Sequence, residues 1–232
     1  MATVLFPSLA RLATAADFDG FRRTVTMGIR QIAFLLVPAS VAFAVLAEPI
    51  VRLVYQRGDF RPPQTPAVAA SLAAFALGLV FNGFMLMLNR AFFSLQSPWI
   101  PTWVALGNLG LNAVLDAAFY RLGIWGLPLS TSLVNIAGSA ALFVLLRRRL
   151  GSLDLHESAS VFVRIVAASV VFGAVAYGVW RGLDETLGRR LVGQIVSVGT
   201  ALVAAGLAYG LLCRVLGVRE LQALLSLRRR AQ

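Results

Sequence analysis

Asn108, Asn112 and Asp116 lie in one apolar stretch of this chain, each four residues from the next. That spacing stacks three polar side chains on one face of a helix. Asp116 is the sole carboxylate deep inside the stretch, and an ionisable group at membrane depth is a functional-site hypothesis by default. The stretch turns near Arg121 and a second apolar segment follows. Nine residues back from the turn is Asn112, and nine forward from Leu122 is Thr131. At 1.5 Å per residue both lie about 13 Å below that end of the helices. Asp116 is one turn shallower, level with Leu127. Pro128 removes a backbone donor and can free a carbonyl near Ile124. A carboxylate, an amide oxygen and a hydroxyl at one depth suit a hard monovalent cation or a proton. The same residue types also serve as interhelical glue, and Asp116 could pair with Arg121. Residue types and spacing leave these readings open.

Other features are less specific. Pro38 lies inside an apolar segment, where it forms either a hinge or a static kink, with Ser40 placed to re-satisfy freed backbone groups. Gly206 and Gly210 form a GxxxG pair that suggests close helix approach. Arg57-Gly58-Asp59 reads as a tight charged turn. There is no paired acidic motif, no Ser/His/Asp set and no phosphate-cradling glycine loop, so no enzymatic activity is expected. With one Cys and one His, a metal site built on those residues is excluded.

The elements that must position these residues are membrane spans. The chain of 232 residues is 59% hydrophobic and only 13% charged, with mean hydropathy +0.80, against roughly 25% charged in soluble domains. Six segments reach the length of a span: Ile29–Tyr55, Pro66–Asn89, Pro98–Tyr120, Leu122–Leu146, Ser158–Trp180 and Leu191–Cys213. Short loops suggest that neighbours pack as antiparallel hairpins. The expected fold is an all-α polytopic bundle: residues 1–30 the end of a preceding helix plus an amphipathic cytoplasmic connection (Ala16–Arg30), 31–215 the bundle, 216–232 a basic tail whose Val218–Arg230 helix lies on anionic lipid. The formal charge of +11 comes from arginines at the ends of apolar runs, which points to lipid headgroups and not to nucleic acid. Fourteen arginines fall on one side and seven on the other, so both termini are expected in the cytoplasm. Trp99, Trp103, Trp125 and Trp180 sit near span ends, as an interfacial belt requires.

Three stretches carry a family resemblance: LFPSLARLA (Leu5–Ala13), GIRQIAFLLVPASVAFAVLAEPIVRLVYQRGDF (Gly28–Phe60) and NRAFFSLQSPWIPTWVALGNLGLNAVLD (Asn89–Asp116). Together they resemble the C-terminal half of the bacterial lipid II flippases (MurJ/MviN), members of the multidrug/oligosaccharidyl-lipid/polysaccharide (MOP) exporter superfamily. The resemblance is motif-level over about residues 1–135 and rests on hydropathy and order beyond. It implies the C-terminal lobe of a fourteen-helix transporter in the bacterial inner membrane. Such a protein carries an undecaprenyl-linked peptidoglycan precursor outward by cation- or potential-coupled alternating access, as part of cell-wall biogenesis. It also implies a sodium or proton site at Asn112, Asp116 and Thr131 with a backbone ligand near Leu127, membrane lipids as partners, and a missing N-terminal lobe that supplies headgroup arginines and a further acidic ligand. Spans five and six would form the groove for the lipid tail. Two other readings remain: another exporter of the superfamily, for O-antigen lipid or drugs, and a non-transporting membrane scaffold.

Overall fold

Apolar residues recurring with helical period, interrupted by proline and glycine, produce eight α-helices among the described residues. The computed structural model describes residues 2–56, 62–151, 155–188 and 191–217. Within them α1 spans Ala2–Thr14, α2 Phe18–Val45, α3 Ala47–Tyr55, α4 Thr65–Ser94, α5 Trp99–Phe119, α6 Gly126–Leu150, α7 Leu155–Leu187 and α8 Leu191–Val215. No strand occurs among the described residues. The Arg57-Gly58-Asp59 turn and the Val218–Arg230 tail lie outside them.

Local chemistry accounts for the helix limits. Asp17 caps α2 by accepting the Gly20 amide at 2.9 Å, which satisfies one orphan donor of the first turn. The helix then runs unbroken to Val45, so residues 18–30 of the expected connection are continuous with the first apolar helix. The span expected over Ile29–Tyr55 breaks at Leu46. Pro49 explains the place: it has no N–H for the Val45 carbonyl and its ring opposes continuation of the helix. Gly151, at φ +81°, closes α6 in a backbone region open to glycine.

The helices pack side by side in the order α8, α7, α2, α4, α6, α5, with α1 against α2 and α4, and α3 against α4 and α8. Hairpin pairing holds for α5 with α6 and for α7 with α8, but α4 and α5 hardly touch. The reason is a close approach of α6 to α4. A Cβ built on Gly78 would lie 2.7 Å from the Ser132 Cα, and the Ser132 hydroxyl donates to the Ala74 carbonyl at 2.6 Å. Small residues let the two backbones meet, and α5 is displaced to the far side of α6. Gly206 and Gly210 face open space, with nothing near a built Cβ. In α8 the packed face is instead Ser197, Val198, Ala201, Ala205 and Tyr209.

Two larger apolar cores hold the row together, and a smaller one of Ala47, Val51 and Ala69 joins α3 to α4. One joins α2, α7 and α8 around Phe34, Val37, Ile165, Phe172, Ala205 and Tyr209. The other joins α1, α2, α4 and α6 around Leu9, Phe21, Met87, Phe92, Leu142 and Leu146.

The chain is a polytopic membrane bundle. Among the described residues five helices are long and apolar enough to cross a membrane by length and composition: α2, α4, α6, α7 and α8. The third of the six expected spans, α5, falls short on composition because Asn108, Asn112 and Asp116 lower its hydropathy. Its 21 residues still reach about 31 Å, the thickness of a hydrocarbon core.

Candidate functional site

The polar stripe of α5 faces α6. Asn108 packs on Gly138, where a Cβ would collide with its amide, and its Nδ2 lies 3.6 Å from Met85 Sδ on α4. Two turns away, Asp116 accepts a hydrogen bond from Ser130. Both pairs are symmetric about Gly123, the turn glycine at φ +87°. The same register sets Asn112 opposite Val134. The outer face of α5 is open: Trp99, Trp103, Leu109 and Val114 are all exposed, and Pro101 is its one buried residue.

This register corrects the expected pairing by about one turn. Counting from Leu122 treats that residue as the helix start, yet Tyr120–Leu122 forms a short 3-10 turn and α6 begins at Gly126. Ser130 therefore meets Asp116, and Thr131 does not. Thr131 turns back along its own helix and donates to the Leu127 carbonyl at 3.1 Å. Pro128 also differs from expectation. It sits in the first turn of α6, where a backbone N–H has no helical acceptor in any case. No ladder is broken there, and the Trp125 carbonyl accepts from Leu129 at 3.2 Å. Arg121 is exposed and makes no ion pair with Asp116.

Asp116, Ser130, Leu127 and Thr131 nevertheless form one connected group. Ser130 is fully buried, and its Oγ lies 2.8 Å from the Leu127 carbonyl while also bonding Asp116. A hydroxyl carries one proton, so it donates to one of the two acceptors at a time. An ionised Asp116 draws the Ser130 proton, because charge-assisted hydrogen bonds are the stronger. Asn112, half-buried one turn from Asp116, makes no hydrogen bond among the described residues. One carboxylate with neutral oxygens around it matches a monovalent cation or a proton. Among the described residues no three His, Cys, Asp or Glu side chains come together.

Ser130 was missed by depth counting, but a signal for it exists. Gly123 is the turn residue able to adopt positive φ at no steric cost, and centring the hairpin there pairs Asp116 with Ser130. Pro38, the expected hinge, lies inside a continuous α2 and is buried. Ser40 does not relieve it: its hydroxyl is buried with no partner among the described residues.

Residues 1–189 match the family model described as "Lipid II flippase MurJ". The chain is 30% identical over 224 residues to a probable lipid II flippase MurJ of Vibrio cholerae, covering 94% of this chain and 42% of that protein. It is 31% identical over 188 residues to the probable lipid II flippase MurJ of a Synechocystis species, covering 81% and 34%. A lipid II flippase MurJ solved in an inward closed conformation shares the fold, with TM-score 0.72 and 21% identity over 93% of this chain and 43% of that one. The chain thus spans less than half the length of these relatives.

Proposed function

Since the chain belongs to the lipid II flippase MurJ family, we propose that it forms the C-terminal lobe of a flippase in the bacterial inner membrane. It would carry an undecaprenyl-linked peptidoglycan precursor from the cytoplasmic to the periplasmic leaflet, with both termini cytoplasmic. The observation that carries the reading is Asp116, in the last turn of α5, held against the buried Ser130 on the neighbouring helix of a family member. Transport, and not an enzymatic step, is what this constellation supports.

Coupling follows from the single proton of Ser130. With Asp116 ionised, Ser130 ties α5 to α6. When a sodium ion or proton neutralises Asp116, the Ser130 proton is released to Leu127 and the tie loosens. Asn112 and the Leu127 carbonyl supply further oxygens beside the carboxylate, and Thr131 acts through the same carbonyl. A cation that neutralises Asp116 then favours one lobe arrangement over another by its differential affinity for the two.

The test is Asp116→Asn at the chromosomal locus of the host, with lipid II translocation measured across sodium concentration and pH. The expected result is loss of the sodium or pH dependence. Translocation that keeps both its rate and that dependence rejects coupling at Asp116.

A further inference from the structure

Proline at position 38 has no N–H, so the carbonyl of Phe34, four residues earlier, loses its helical donor. Inside a membrane span that oxygen has no water to turn to. A donor arrives from another helix: the Tyr209 hydroxyl of α8 donates to the Phe34 carbonyl at 2.8 Å, in a buried position. The Tyr209 ring lies 5.4 Å from the Phe34 ring and 6.3 Å, edge-on, from Phe172 of α7. Just past the proline, Val41 packs on Gly173 of α7, where a Cβ would sit 2.6 Å from a Val41 methyl. The weakest turn of α2 is therefore gripped by both helices of the α7–α8 pair.

We propose that Tyr209 is a latch on a hinge at Pro38. With α8 seated, its hydroxyl satisfies the orphaned carbonyl and holds α2 in one bend. If α8 shifts, the carbonyl loses its donor and the proline turn opens. The bend of α2 and the seating of α8 are then one coupled coordinate, through a residue whose role is to position the hinge. This rests on the packing of α2, α7 and α8 and is independent of the cation reading at Asp116.

The experiment is a double-mutant cycle on the full chain in lipid nanodiscs, read by amide hydrogen exchange over residues 34–42. Tyr209→Phe keeps the ring and removes the donor. Exchange in that segment should rise on the order of 5-fold, the equivalent of one net hydrogen bond, with α4 and α6 unchanged. Pro38→Ala restores the helical N–H to Phe34, and in that background Tyr209→Phe should leave the segment unaffected. Equal acceleration in both backgrounds, or none in either, overturns the latch. Should Pro38→Ala fail to fold, a variant with Tyr55, Tyr120 and Tyr177 changed to Phe isolates Tyr209. Its phenolic C–O stretch then decides: a donor-bonded position supports the latch, and a free phenol overturns it.

Discussion

Ser130 donates its hydroxyl proton to the Asp116 carboxylate across the α5–α6 interface, and Gly123 lies midway between them in sequence. Neighbouring Thr131 is bonded to its own helix instead. Ser130→Ala should therefore destabilise the bundle by about 1–3 kcal/mol, the loss of a hydrogen bond to a charged group. Thr131→Ala should stay within about 0.5 kcal/mol, since its bond is local. Unfolding midpoints in mild detergent measure both. The opposite ranking would make Thr131 the operative hydroxyl.

Close backbone approach predicts which glycines matter. Gly78→Ala places a methyl against the Ser132 backbone, where no side-chain rotation relieves it, and should cost about 1–3 kcal/mol. Gly206→Ala and Gly210→Ala meet nothing, and because alanine is the better helix former they should be neutral or slightly stabilising. The comparison needs only thermal midpoints of three purified variants.

Arg52 joins α3 to α7. It is bonded to Glu48 on its own helix and lies 3.5 Å from Asp184, with the Arg52 and Asp184 side chains 15% and 18% exposed. Arg52→Ala strands Asp184 without its cation and should cost about 1–3 kcal/mol. Asp184→Asn leaves Glu48 in place and should cost less. A double-mutant cycle on unfolding midpoints isolates the Arg52–Asp184 coupling, and additive losses would show that the pair contributes nothing.

At the start of α2, Asp17→Ala removes the cap on the Gly20 amide and should lower stability by about 1 kcal/mol. Asp19, whose side chain is 78% exposed in its pair with Arg22, should matter less when changed to Ala. Helix fraying over residues 18–24, read by amide exchange, separates the two variants.

The helices and the polar stripe of α5 were legible in the sequence because both are local properties. Hydropathy depends on residue types in a window, and the i, i+4 spacing of Asn108, Asn112 and Asp116 fixes their common face on any helix. The cap at Asp17 and the break before Pro49 are local properties of the same kind. Missing the 3-10 turn at Tyr120–Leu122 displaced the α5–α6 register by one turn and favoured Thr131 over Ser130.

What the sequence by itself determined is therefore the apolar helical segments and the polar face of α5. Family motifs along the first half pointed to the flippase family before any fold was in view. Which helix lies beside which was decided in the tertiary structure. Gly78 against Ser132 places α6 beside α4, Gly173 against Val41 places α7 beside α2, and Tyr209 finds the carbonyl that Pro38 leaves open. Each is a contact between residues distant in the chain, set by side-chain volume and by a backbone group in need of a partner, and neither leaves a periodic signal in one sequence.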